Sequence, residues 1–342
     1  MRCNRRFRRG SPLRWLAGRS FTLLWAFAVA AGSVDLSHAV LIQTVTGTDN
    51  TTAPADDPGF ANVGYSTNGL GTAIYLGDGW VLTAGHVGGG GIVLSSGTYL
   101  QASGSGSGIT LVNTTPGKST YTDLYMYRLA TSPAGLPTLS IASTMPDVGA
   151  EVTMIGGGLN RGAYTEWLVN TSTTPWVWTA TGSTGGVIGG YVTLGSRAIR
   201  WGTNNIEERD FWVKSYWGAG PNDYNEVKSV DTVFDEAAGS TEAQAVLRDS
   251  GGAVFTKIGG QWQLAGVIYS VYSPYSGQPN PVYNAVFGDY TLIADLSYYR
   301  PQIVAAIPEP TGVALAAAGL TVLLAGRGAT RRRTSRQTAP AA

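Results

Sequence analysis

The sequence predicts an all-β protein assembled from many short strands. Glycine supplies 47 of the 342 residues, about twice the usual ~7 per cent, which signals frequent turns. Charged residues make up only 13% of the chain while aromatics reach 10%, a balance that favours sheets. Short β-rich runs also meet across glycine-containing turns, as in Gly71–Leu76, Gly77-Asp78-Gly79 and Trp80–Val87, the pattern of a hairpin.

The N-terminus reads as a signal peptide spanning residues 1–39. Arg2, Arg5, Arg6, Arg8, Arg9, Arg14 and Arg19 precede an apolar run from Phe21 to Ala31, and Ser37-His38-Ala39 forms a small-residue cleavage site. The mature chain is therefore expected to begin at Val40, exported by the general secretory route. The run is too short to span a bilayer and has no stop-transfer pattern. Cys3 is the sole cysteine, so an exported domain would carry neither thiol nor disulfide. It would depend on a sizeable core, which about 270 residues can supply as one large or two small β-domains. Between Val40 and Ile307 there are 11 basic and 20 acidic residues, a net charge of −9. That lacks the basic footprint of a nucleic-acid binder.

In chain order, Val40–Val45 has strand character and is followed by a polar stretch to Gly59. The hairpin then delivers His86 where a buried strand opens into Gly88–Gly91. His86 is the only histidine expected to survive export, since His38 leaves with the leader. Asp123-Leu124-Tyr125-Met126-Tyr127-Arg128-Leu129 is a further strand, headed by an acid. Asp249-Ser250-Gly251-Gly252 places a serine before two glycines; these allow a tight turn and unobstructed approach to the hydroxyl. A serine needs a base and an oxyanion-stabilising group to act as a nucleophile. Read alone, the same tetrad is an ordinary turn, His86 an ordinary strand-end residue, and Asp78 and Asp147 compete with Asp123.

Trp80-Val81-Leu82-Thr83-Ala84-Gly85-His86, the Asp123 strand and Asp249-Ser250-Gly251-Gly252 resemble, in that order, the signature motifs of the trypsin/chymotrypsin-like serine endopeptidases. The resemblance covers most of Gly71–Ile303. It implies two antiparallel β-barrels, about 60–145 and 146–305, within a catalytic domain of residues 40–307 and with the active site in the cleft between them. It implies His86, Asp123 and Ser250 as the catalytic residues, with activity titrating near the ordinary histidine value of ~6.5. The backbone N–H groups of Arg248 and Ser250 would form the oxyanion hole, Arg248 standing where the family usually has glycine. Val152–Gly158 resembles the opening of the second barrel. Leu264–Ser270 resembles the strand lining the specificity pocket, and Gly288-Asp289-Tyr290-Thr291 the element closing it. Gln244, Tyr269, Val271 and Gly288 would line that pocket, favouring small or medium uncharged P1 residues. Residues 159–238 do not align, and Thr181–Gly190 within them reads as long loops.

An α/β-hydrolase is rejected, because it needs Gly-x-Ser-x-Gly and the order Ser, acid, His, whereas Arg248 occupies the first glycine position here. One histidine and no cysteine leave little basis for a metal site, and no cofactor is expected. Glu207-Glu208-Arg209-Asp210 reads as a solvated loop. After Pro308-Glu309-Pro310, an apolar run at 311–326 and Arg327, Arg331, Arg332, Arg333 and Arg336 complete residues 308–342. This tail resembles the PEP-CTERM sorting signals of bacterial exported proteins, which implies a short transmembrane segment and an exosortase-like processing enzyme as partner; a permanent tail anchor is the alternative. The expectation is an exported, extracellular or cell-surface serine endopeptidase acting on peptides or proteins. A catalytically silent surface or matrix protein of the same fold is the competing reading.

Overall fold

The structure is a computed structural model that describes residues 38–43, 49–182, 187–216 and 224–307. Its first half is one antiparallel sheet of seven strands: β2 (Val63–Ser66), β3 (Thr72–Gly77), β4 (Trp80–Ala84), β5 (Gly91–Leu94), β6 (Gly97–Leu100), β7 (Gly108–Val112) and β8 (Tyr121–Arg128). They lie in the order β6-β5-β2-β3-β4-β8-β7. The sheet curls until Gln101, just past β6, bridges Leu129, just past β8. Closure of this expected barrel therefore rests on a single bridge rather than on a strand pair. The hairpin predicted at Gly77-Asp78-Gly79 is present, and all three turn residues have positive φ (112°, 49° and 81°). β3 and β4 are buried along their whole length, which explains why they read as continuous apolar runs.

The second half contains β9 (Glu151–Gly156), β10 (Leu159–Asn170), β11 (Val177–Gly182), β12 (Ile188–Arg197), β13 (Arg200–Tyr216), β14 (Tyr224–Val233), β15 (Ala243–Leu247), β16 (Ala253–Ile258), β17 (Gln261–Tyr272), β18 (Asn284–Val286) and β19 (Tyr290–Asp295). Six of these close into a barrel in the order β13-β14-β19-β17-β16-β9. A four-stranded sheet, β11-β10-β12-β18, stands beside it. The fold is thus all-β, a curled seven-stranded sheet followed by a closed six-stranded barrel. Asp295 caps α1 (Leu296–Ala306), the one α-helix among the described residues, by accepting from the Ser297 N–H.

Two sequence-based expectations need correction here. Thr181–Gly190 does not consist of loops alone, because β11 reaches Gly182 and β12 begins at Ile188. Glu207–Asp210 is not a loop but part of β13, at a double register shift against β14 where Asp210 takes φ 67°. The bulge turns acidic side chains outward without ending the strand. Among the described residues no group of acids and histidine could hold a metal ion there or elsewhere.

The main apolar cluster unites the two halves: Ile74, Leu82, Leu124 and Met126 pack with Ile155, Val267, Leu292, Tyr299 and Ile303. Helix α1 ties them further. Gln302 exchanges hydrogen bonds with both backbone groups of Val112, and the Tyr299 hydroxyl donates to Asn113 Oδ1 at 2.9 Å. Before the hairpin, β1 (His38–Ile42) pairs antiparallel with β15, slightly earlier than the strand predicted from Val40. Val40, Leu41 and Ile42 are buried. The tail segment at 311–326 lies outside the described residues, as does most of the expected leader. Among the described residues no helix is long and apolar enough to cross a membrane.

Candidate active site

β4 ends at Ala84, and the backbone then turns sharply, with the N–H groups of Val87 and Gly88 both directed at the Ala84 carbonyl. This turn carries His86 out of the sheet. β8 runs antiparallel to β4 with Ala84 opposite Leu124, so Asp123 arrives beside the turn. The Asp123 carboxylate makes two contacts with one residue. Oδ2 lies 2.7 Å from His86 Nδ1, and Oδ1 accepts the His86 backbone N–H at 2.8 Å. Gly85 permits this closeness, since a Cβ there would stand only 2.9 Å from Asp123 Oδ1.

Asp123 is buried, whereas 32% of the His86 side chain is exposed. Burial pushes the imidazole pKa down, but the Asp123 charge and hydrogen bond together push it up and prevail, so the ring titrates above its ordinary value. This differs from the expectation of an unshifted histidine. The difference arises because the Asp123 contact is short and shielded, which spacing in the sequence does not reveal.

Ser250 lies at the seam between the halves. Its carbonyl accepts the Thr72 N–H at 2.8 Å, and Gly251 donates to Ile268 O at 2.7 Å. Gly251 has φ 87°, and a Cβ there would overlap the Thr72 carbonyl oxygen and the Thr83 hydroxyl, which accounts for glycine after the serine. Thr83 lies on β4, three residues before His86. The structure therefore brings the Ser250 turn against β3 and β4, the hairpin whose second strand leads into His86, although no hydrogen bond joins Ser250 Oγ to the ring among the described residues. Contacts of this kind often tighten only when substrate binds.

Arg248 adopts φ 80°, in the left-handed region that glycine usually occupies. Neither its N–H nor that of Ser250 has an acceptor among the described residues. Asp249, between them, is fully buried, and its Oδ2 accepts the Val246 N–H. Burial holds this carboxyl well above its usual range, against the opposing pull of that N–H and of Arg197 and Arg200.

The four expected pocket residues separate into two pairs. Gln244 is 1% exposed, its amide donating to Tyr290 O and accepting from Thr291 Oγ1. Tyr269 is 2% exposed, with its hydroxyl 2.7 Å from Ser229 Oγ. Strand alternation sends Tyr269 into the core, so neither of these two faces solvent. Val271 and Gly288 are partly exposed. The Tyr275 hydroxyl sits directly against Gly288 and donates to Phe287 O, within an aromatic group that includes Trp176 and Trp178. Those two tryptophans belong to the stretch that resisted alignment.

No family model matches the sequence, and no curated protein does. Among solved structures, the chain is similar to mouse neuropsin, a serine protease expressed in the limbic system of the brain, at 16% identity and a TM-score of 0.38 over 69% of this chain and 88% of that one. It is also similar to kallikrein-related peptidase 10, at 13% identity and a TM-score of 0.39 over 74% of this chain and 98% of that one.

Proposed function

We propose that this chain is a serine endopeptidase of the trypsin/chymotrypsin type. The observation that carries the reading is the His86–Asp123 pair, with Nδ1 on Oδ2 at 2.7 Å and the His86 backbone on Oδ1, opposite a serine turn in which the N–H groups of Arg248 and Ser250 have no acceptor among the described residues. In this reading the Nδ1 proton belongs on the Asp123 side, which leaves the Nε2 lone pair to accept the Ser250 proton. Ser250 Oγ attacks the scissile carbonyl. The resulting oxyanion takes hydrogen bonds from the Arg248 and Ser250 N–H groups, and His86 returns the proton to the leaving amine. Water then releases the acyl group by the same route in reverse. Peptides or proteins are the substrates, and no step requires a cofactor.

In this reading the activity lies outside the cell, reached by export through residues 1–39 and then transient anchoring through 311–326 until an exosortase-like enzyme removes the basic end. Mass spectrometry of the native product should find a C-terminus near Pro308, and retention of Arg331-Arg332-Arg333 on membrane-bound protein would favour a permanent anchor. Catalysis is tested by Ser250→Ala, which should remove nearly all peptide hydrolysis while leaving the fold intact. Hydrolysis by that variant at the wild-type rate would dismiss the peptidase reading.

A further inference from the structure

An arginine is an unusual occupant of a turn that must hold φ 80°. A residue with a Cβ lies above its extended minimum in that region, so something outside the turn has to keep it there. The contacts of Thr72 supply that constraint. Thr72 is fully buried at the start of β3. Its hydroxyl donates to the Arg248 carbonyl at 3.0 Å and accepts the Gly157 N–H at 2.9 Å. The direction is forced, because Gly157 N–H can only donate, which commits the hydroxyl proton to Arg248. The Thr72 backbone N–H holds the Ser250 carbonyl at 2.8 Å, and the Thr72 carbonyl accepts from Thr83 Oγ1 at 2.7 Å.

One residue of the first sheet thus pins both carbonyls that bracket Asp249. The held carbonyls belong to the Arg248–Asp249 and Ser250–Gly251 peptides, each one Cα away from an N–H without an acceptor among the described residues, those of Arg248 and Ser250, so they fix the points about which those two N–H groups could swing. The anchor is itself held from behind. Arg197 donates from Nε to Gly157 O at 2.7 Å and from Nη2 to Gly71 O at 3.0 Å, joining the residue that donates to Thr72 and the residue that precedes it.

We propose that Thr72 is a positioning residue which holds the Arg248–Ser250 backbone in its left-handed turn and so allows arginine to stand in the oxyanion hole. This rests on the peptidase reading of the site. Thr72 touches no reacting atom; it acts through the peptide it holds. Without the hydroxyl, Arg248 relaxes toward negative φ and carries its N–H out of the hole. A glycine at 248 has no such strain and needs no brace.

The test is a double-mutant cycle on a neutral peptide substrate. Thr72→Val should lower kcat by at least about tenfold, approaching the ~10²–10³ of a lost hole donor, with KM within about threefold. Arg248→Gly alone should change kcat by less than about tenfold. In the Arg248→Gly background, Thr72→Val should cost less than about threefold. Thr72→Ser keeps the hydroxyl and should recover most of the kcat. Equal losses in both backgrounds, or a Thr72→Ser enzyme as impaired as Thr72→Val, would overturn the proposal. Crystal structures of the same variants give a readout independent of activity. Thr72→Val should show the Leu247–Arg248 peptide turned and φ at 248 negative, whereas the double variant should retain the turn; an unmoved turn in Thr72→Val would overturn the brace. A wild-type protein without hydrolytic activity would defeat the peptidase reading, while these structures still decide whether Thr72 holds the turn.

Discussion

Asp123→Asn isolates what the carboxylate contributes beyond its shape. Oδ1 already receives the His86 backbone N–H at 2.8 Å, so the carbonyl of the new amide must remain at that position; the flipped amide would set two N–H groups against each other. Its NH₂ then replaces Oδ2, 2.7 Å from His86 Nδ1, and donates to it. The ring is forced to carry its own proton on Nε2, where no lone pair is left for Ser250. Catalysis by the same substitution in such a triad falls by about 10⁴, or ~5.4 kcal/mol at ~1.36 per tenfold. The fold should lose far less, because both contacts persist in neutral form; at ~1 kcal/mol the melting temperature should fall by about 2–4 °C. Steady-state kinetics on a peptide substrate, with thermal unfolding of the same samples, reads both quantities. An Asp123→Asn enzyme with kcat within tenfold of wild type would refute the reasoning.

The pH dependence of kcat/KM should report the same pair. Because His86 must be neutral to act as base and its pKa is raised, activity should rise through an apparent pKa above ~6.5, and a midpoint below that value would contradict the Asp123 contact. Stability should run the other way. Burial pushes Asp231 and Asp289 up to about 7, against an unfolded value near ~3.9. The folded state therefore keeps protons that the unfolded chain releases. This contribution is full below ~4 and is lost as pH rises toward about 7, so melting temperature should decline from pH 5 to 8, and Asp289→Asn should flatten that slope. A P1 profile from a peptide library should favour small or medium uncharged residues, because Val271 and Gly288, the expected pocket residues left partly exposed, carry no charge; dominance by Lys or Arg would contradict that reading.

The elements nearest the candidate site were the most legible. Burial on both faces made β3 and β4 continuous apolar runs, and the glycines of their turn marked the hairpin. The strand carrying Asp123, which begins two residues earlier at Tyr121, and the serine–glycine turn announced themselves through local chemistry. Residues 159–238 did not, for a physical reason. The strands β10 to β12 are largely half-buried or exposed along their length, so no clean alternation of apolar and polar residues distinguishes them from loops. The β13 bulge hides a strand behind a run of charges. Helix α1 escapes notice because Pro301 lies inside it, where proline normally argues against a helix. The placements of Gln244 and Tyr269 depend on which partner each strand meets, and the grip of Thr72 on Arg248 joins residues 176 positions apart. No local pattern records such contacts.

Reaction with a serine-directed fluorophosphonate, followed by peptide mapping, tests the central claim most directly. The expected result is one adduct, on Ser250, formed rapidly by wild type, much more slowly by His86→Ala, and absent in Ser250→Ala. A folded wild-type protein that takes up no label, or takes it up at another residue, would contradict the assignment of Ser250 as an activated nucleophile.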